Sequence, residues 1–309
     1  MGEFPTAADV RLMQGLAQRI TATRPDLVNS DASFGELAWN WGRTRGGGER
    51  RLWFSGAELV AWGWAELPRR VRRNDGSVKD ITGAYLAYQV HPDQFALVDD
   101  VIAWYEATAP GVERTVLPSA ADSHAVRRWA AHGYEPDAPD AWSQLNERDL
   151  IDVEEPSLPA GFAFRTASEV SPEAVVQAHV DAWAPTSYTA SSYEGLRQAP
   201  GYRGDLHVLV EAPDGTMACS AIMWLDEVNE TVEFEPVGTH PGYRRQGLAR
   251  AMLLHGMHLA TAAGARHATV ACMGEPAPAR ELYYSVGFRA FSRDAPLIAA
   301  ARPRGGGRR

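Results

Sequence analysis

The chain has 309 residues, more than one ordinary domain needs and comfortable for two. Its composition, 45% hydrophobic and 22% charged, is that of a soluble globular protein, and a formal charge of −9 argues against a nucleic-acid partner, which would need a basic footprint. With only Cys219 and Cys272 no disulfide framework is visible, which suits a reduced, cytoplasmic setting. No run is long enough to cross a bilayer, and the start MGEFPTAADVRLMQG lacks a signal peptide's pattern.

The first half opens with a predicted helix over about Ala8 to Thr21. RRLWFS and ELVAWGWAEL read as adjacent strands with Gly56 at their turn, and AYLAYQV as a strand that reaches HPDQ. A helix from about Phe95 to Thr108, a strand VERTVLP, a helix DSHAVRRWAAHGY and a final strand AWSQLNER complete it. Trp39, Trp41, Trp53, Trp62 and Trp64 read as strand core or inter-domain filling. Asp152 to Gly161, DVEEPSLPAG, has acids, two prolines and a glycine without apolar periodicity, and reads as a linker.

In the second half GFAFRTA is a short strand. SPEAVVQAHVDAW is a helix with Ser171 as N-cap and Pro172 at its first position, and SSYEGLRQA is a second helix. The strands LHVLVEA, TMACSAIMWL and ETVEFEPVGT follow, with turns at Pro213-Asp214-Gly215 and near Asp226 to Asn229. A helix from about Gln246 to Ala263 stops near Gly264. HATVAC is a strand, APARELYYSV a helix, and GFRAF opens another strand. The order predicts an α/β fold with a mixed sheet. The first half echoes it: YQVHPD matches VGTHPG, and AVRRWAAHGY matches ARELYYSVGF. The reading is a duplicated domain, with units over 1–151 and 160–300 and a disordered tail over 301–309.

HPGYRRQGLARAML, His240 to Leu253, places charge and bare backbone where a helix begins. A helix N-terminus exposes unpaired N–H groups and about half a positive charge, so it suits a phosphate. Gly247 lets backbone approach a ligand, Ala249 keeps the first turn nearly as bare, and Arg244, Arg245 and Arg250 can pair with phosphate oxygens. The stretch has neither a P-loop lysine nor a GxGxxG pattern. Just before it, Pro236 in a central strand implies that ladder pairing breaks there. Glu233 and Glu235 share a strand face by parity, and either could take a proton. Trp183, Tyr188 and Tyr193 could stack on a ligand or fill core. His240, His255, His258 and His267 have no cysteine or carboxylate at ligand spacing and read as surface or core residues, so no metal is expected.

RRQGLA resembles the [RQ]-x-x-G-x-[GA] acetyl-CoA signature of the GNAT N-acetyltransferase superfamily. PARELYYSVGF resembles its second signature, A-x-x-L-Y-x-x-x-G-F, through Ala279, Leu282, Tyr283, Gly287 and Phe288. The two occur in order with one strand between them, and the resemblance covers about Gly161 to Phe291. It implies that acetyl-CoA lies along Val237, Gly238 and Thr239 and over Arg244, Arg245, Gln246, Gly247, Leu248, Ala249 and Arg250. It also implies a fourth strand that splays from the fifth, a base at Glu233 or Glu235, and Tyr283 as the acid for the departing thiolate. One departure is Pro276, where the family often carries an asparagine that touches pantetheine. After HPDQ the first half has FALVDDVIAW, without arginine or glycine and with Asp99 and Asp100, so it resembles a second, degenerate GNAT domain. The layout is similar to that of mycothiol synthases. The implied activity is acetyl transfer from acetyl-CoA to the primary amine of a small molecule, by a monomer or dimer with no nucleic-acid or membrane partner. A protein or peptide N-acetyltransferase and a non-catalytic CoA-binding regulator are the alternatives.

Overall fold

Thr6 starts the first helix with a reciprocal cap. Its hydroxyl accepts from the Asp9 N–H at 3.2 Å, while the Asp9 carboxylate takes the Thr6 N–H at 2.6 Å. The computed structural model describes residues 5–44, 48–137, 143–273 and 278–301. The first half runs α1 (Ala7–Thr21), α2 (Phe34–Thr44), β1 (Glu49–Ser55), β2 (Glu58–Glu66), β3 (Arg69–Arg72), β4 (Val78–Ile81), β5 (Ala84–Val90), α3 (Leu97–Thr108), β6 (Arg114–Val116), α4 (Ser123–Ala131), β7 (Glu135–Pro136) and β8 (Ser143–Asp149). The second runs β9 (Ala163–Thr166), α5 (Pro172–Trp183), α6 (Ala190–Arg197), β10 (His207–Glu211), β11 (Met217–Asp226), β12 (Thr231–Thr239), α7 (Leu248–Ala262), β13 (His267–Met273), α8 (Pro278–Ser285), β14 (Arg289–Arg293) and β15 (Leu297–Ala299).

Two mixed sheets form, and each borrows a strand from the other half. The first has the order β1-β2-β5-β6-β15-β7 and the second β14-β8-β13-β12-β11-β10-β9. β8, expected as the closing strand of the first half, lies between β13 and β14. It pairs along all of β13, from Asp149 opposite His267 to Ser143 opposite Met273. β15, which the sequence did not suggest, returns to sit between β6 and β7. Asp294, at the crossover, accepts hydrogen bonds from Ser143 Oγ at 2.6 Å, from the Ser30 N–H at 3.2 Å and from Ser30 Oγ. The exchange therefore ties three distant segments together.

The duplication is visible locally. His91 and His240 have nearly the same backbone conformation (φ −58°, ψ 134° and φ −52°, ψ 131°). Each imidazole Nδ1 accepts from the N–H two residues on, at 3.2 Å from Asp93 and 3.0 Å from Gly242. Ser171 caps α5 as expected, accepting from the Ala174 N–H at 3.2 Å.

The largest departure from expectation is α2. Trp39 and Trp41, anticipated as strand core or filling between halves, stand on this helix. It packs on α1, α6, β11 and β12 and so joins the two halves. Trp62 and Trp64 are core residues of β2, and Trp53 on β1 meets Trp104 edge-on. The β3–β4 hairpin was also not anticipated, and α3 begins at Leu97 rather than Phe95. The tail from residue 302 and Pro276 lie outside the described residues. No described helix is long and apolar enough to cross a membrane.

Candidate active site

β12 is the strand that builds the site. It pairs in parallel with β13 only from Thr231 to Glu233, while β13 continues to Met273 against β8. Beyond Glu233 the two strands part. On its other side β12 is bulged: Met223 opposes Phe234 but Ala221 opposes Val237, so Ile222 faces both Glu235 and Pro236. Pro236 offers no N–H, and the Glu235 carbonyl accepts from the Trp224 indole N–H at 2.6 Å. Val237, Gly238 and Thr239 thus run beside the gap between the parting strands. In a ladder, alternate N–H groups point to opposite sides, so part of this segment presents donors to the gap.

The strand leads through the one-turn helix Pro241–Tyr243 into the turn before α7. Arg245 (φ 62°) and Gly247 (φ 78°) are both left-handed, and Gly247 is the N-cap of α7 with no side-chain cap. A Cβ on Gly247 would meet nothing within 4 Å, so the space before the helix end is open. Arg244, Arg245 and Gln246 are exposed, Leu248 is buried, and Ala249 packs partly on the core. Arg250 is already paired: its guanidinium forms a two-pronged contact with Glu154 of the linker, 2.6 and 3.2 Å.

The two glutamates that parity placed together serve different surroundings. Glu233 is buried, and first-half donors hold both its oxygens, Ser33 Oγ at 2.6 Å and the Gly35 N–H at 2.7 Å. It therefore sits at the N-terminus of α2. Burial raises its pKa against those two bonds. Glu235 has no side-chain hydrogen bond among the described residues and lines a cavity of about 890 Å³. Its carboxyl is pushed up to about 8, first by burial and then by the negative charge of Glu233, with Arg43 opposing. Glu36, in the first turn of α2, is also held well above the usual carboxylate range by burial and by Glu235.

Both halves line that cavity. Trp39 and Arg43 come from α2, and His179, Trp183 and Tyr188 from α5 and the loop after it. Trp183 is where cavity and gap meet, because its ring covers Gly238 so closely that an added Cβ would lie 2.1 Å from it. Tyr193 is not part of the lining. It is buried, and its hydroxyl contacts that of Tyr202 at 3.2 Å. Tyr283 on α8 is buried, and its hydroxyl bonds to no described protein group. Burial, then the charges of Glu235 and Cys272, raise its pKa, so it stays protonated. Sequence reasoning missed Glu36, Trp39, Arg43 and His179. For His179 a local signal existed, since it stands four residues before Trp183 on one helix face. For the α2 residues there was none.

In the first half β5 also parts from β6, beyond Leu86. That gap is filled. Trp129, at the position that matches Tyr283, is fully buried and donates its indole N–H to Tyr88 at 3.0 Å. Asp99 in the first turn of α3 pairs with Arg128 at 2.6 Å.

Residues 173–288 match the family described as Acetyltransferase (GNAT) family. No curated protein matches the chain. A solved GCN5-related N-acetyltransferase from Sphaerobacter thermophilus is 19% identical, with TM-score 0.63 over 98% of this chain and 96% of its own. A tandem GNAT protein from the clavulanic acid biosynthesis pathway is 16% identical, with TM-score 0.65 over 97% and 98%. At these identities the likeness is one of fold, and it spans both halves.

Proposed function

The second half of this chain carries a GNAT-family domain, and from that premise we propose that the protein is an acetyl-CoA-dependent N-acetyltransferase acting on the primary amine of a small molecule, at one active site in that half. The observation that carries this reading is the position of Glu235. It is a carboxyl with no hydrogen-bond partner among the described residues, on the bulge of β12, at the wall of the large cavity and beside the gap where β12 leaves β13. Acetyl transfer needs an amine-holding cavity and a slot for the thioester to meet at one strand, and β12 borders both a cavity and a gap that suit those roles.

Acetyl-CoA fits the residues present. The Gly247 turn and the free N–H groups of α7 hold the pyrophosphate, helped by Arg244 and Arg245. Arg250 plays a smaller part, because Glu154 competes for it. The pantetheine arm follows Val237 to Thr239 into the gap, whose free N–H groups stabilise the oxyanion. In the first half Trp129 and Tyr88 fill the corresponding space, which supports a single acetyl-CoA per chain.

The acceptor enters from the cavity as an ammonium ion. Glu235 takes one proton, directly or through water, and the neutral amine attacks the thioester carbonyl carbon. The C–N bond forms, the C–S bond breaks, Tyr283 gives its proton to the leaving thiolate, and the second proton that the nitrogen sheds on becoming an amide passes through water to restore the tyrosine. A carboxyl pushed up to about 8 is a stronger base than an ordinary glutamate and better matched to an amine. Glu233 is a positioning residue: it fixes the start of α2, the helix that brings Trp39 and Arg43 to the cavity. The free thiols Cys219 and Cys272 fit work in the cytoplasm. The test is release of thiol from acetyl-CoA with a panel of small amines, together with calorimetry of acetyl-CoA binding. One site and amine-dependent turnover are expected. Binding without turnover on any amine would favour a CoA-binding regulator, and two equivalent sites would overturn the single-site reading.

A further inference from the structure

The shape and chemistry of the acceptor cavity narrow the class of amine. One wall is a run of rings contributed by both halves. Trp39 and Tyr188 lie nearly parallel (23°) with centroids 5.8 Å apart, and His179 lies against Trp183 (20°, 4.3 Å) and against Tyr188 (4.0 Å). Leu67, Pro68 and Val71 of the first half also line the cavity, so it has apolar lining beyond the rings. Burial lowers the His179 pKa to about 4, which leaves the imidazole neutral, so no ring of the wall carries charge. Neither nitrogen of His179 has a hydrogen-bond partner among the described residues, although the ring is largely enclosed. Among the described residues three carboxyls line the cavity: Glu235 from the second half, with Trp183 and Pro236, and Glu49 and Glu66 from the first, of which Glu66 is paired with Arg69.

We propose that the acceptor is a primary amine carried on a flat aromatic body, an arylalkylamine. Its ring lies against the Trp39–His179–Tyr188–Trp183 wall, a ring hydroxyl or N–H reaches the free nitrogen of His179, and its amine reaches Glu235. This rests on the cavity being the acceptor site of an acetyltransferase. A flat ring gains from stacking and from apolar burial on this lining. An amino sugar gains less than a flat ring from stacking on this wall, although Thr44, Thr186, Ser187 and Ser192 also line the cavity. A linear diamine offers the ring wall no flat face, and its second cation would have to be held by Glu49 or Glu66, the latter already paired with Arg69.

The experiment compares phenethylamine, tyramine, tryptamine, putrescine and glucosamine as acceptors by thiol release. It is paired with calorimetric titration of the same amines into the protein saturated with CoA, which needs no turnover. The aromatic amines should exceed putrescine and glucosamine in kcat/KM by about tenfold or more, and they should bind while those two do not. His179→Phe keeps a ring in the wall and removes the nitrogen. It should raise KM for tyramine by about three- to thirtyfold, a larger loss than for phenethylamine, which has no ring hydroxyl to lose a partner. Val71→Lys, which puts a cation on the apolar lining away from the chemistry, should weaken every aromatic amine. Preference for putrescine or glucosamine would overturn the arylalkylamine assignment and leave the acetyltransferase reading standing. Binding of aromatic amines without any acetylation would do the reverse. If no aromatic amine binds or reacts, the assignment is wrong whatever the enzyme does.

Discussion

Glu235→Gln and Glu233→Gln form a pair that separates the base from its neighbour. With its carboxyl pushed up to about 8, Glu235 is only about one-tenth ionised at pH 7 and about nine-tenths at pH 9. Turnover with an amine in excess should therefore rise about tenfold between those values and level off above them. A glutamine amide at 235 is not basic enough to take the amine's proton. The rate near neutrality should fall by about 10²- to 10⁴-fold and the alkaline rise should vanish. At 233 the same change is mild. The amide oxygen still accepts from the Gly35 N–H, and the amide nitrogen can turn to the Ser33 hydroxyl. The loss of charge assistance costs about 1 kcal/mol, offset in part because a buried carboxylate no longer needs desolvation. Because Glu233 is one cause of the high pKa of Glu235, Glu233→Gln should move the rise in rate to lower pH without removing it. Thiol-release rates from pH 6 to 10, with thermal melts to show that each variant is folded, decide the matter. A folded Glu233→Gln enzyme with a flat profile, or a Glu235→Gln enzyme with the native one, would refute the assignment.

Three more outcomes are expected. Gly247→Asp should abolish acetyl-CoA binding in calorimetry, since it forces a side chain into a left-handed position at a cost of about 1–2 kcal/mol and sets a negative charge where the proposed site takes phosphate. Tyr283→Phe should lower kcat while acetyl-CoA affinity and melting temperature hold, because the hydroxyl bonds no described group; full activity would mean that water protonates the thiolate. A fragment of residues 161–309 lacks β8, the strand between β13 and β14, and should be insoluble alone but recovered by co-expression with residues 1–160; a soluble, folded fragment would show that the exchanged strand is dispensable.

The parts of this protein that the sequence made legible are those encoded by neighbours along the chain. The α7 cradle depends on Arg244 to Ala249, and the bulge of β12 announces itself through Pro236 in a strand-like run. Helix α2 was hidden because its sequence, FGELAWNWGRT, has two glycines that lower helix propensity. Both are there for close approach. A Cβ on Gly35 would lie 2.6 Å from Trp224, and one on Gly42 would lie 2.7 Å from the Leu196 backbone. Packing against the second half thus selects residues that disguise the helix. The large cavity was illegible for a related reason: Trp39 and Val71 meet His179 and Glu235 only in the folded chain. The exchange of β8 and β15 was also beyond reach, since alternation marks a strand and one buried face but says nothing of which sheet it joins. Parity placed Glu233 and Glu235 on one face, yet their partners come from the first half and could not be read from the strand.

The crossover itself should respond to pH. Asp294 is buried between the halves, and its carboxyl is pushed up to about 6, by burial first, against hydrogen bonds from Ser143 and Ser30. A carboxyl whose pKa is raised on folding binds its proton more tightly in the folded state. Its contribution is fully favourable below its unfolded value of 3.8 and is lost as pH rises through about 6. A shift of about two units corresponds to about 3 kcal/mol between those limits. Asp294→Asn removes the ionisation while leaving an oxygen to accept from the Ser30 N–H and an amide to meet the serine hydroxyls. At pH 8 the variant should be more stable than the native protein in urea unfolding, and at pH 4 the difference should disappear or reverse. A variant equally destabilised at both pH values would mean that the Ser30–Ser143–Asp294 contact works through hydrogen bonds to a carboxylate whose burial costs little, and that ionisation at the crossover does not govern how firmly the exchanged strands hold.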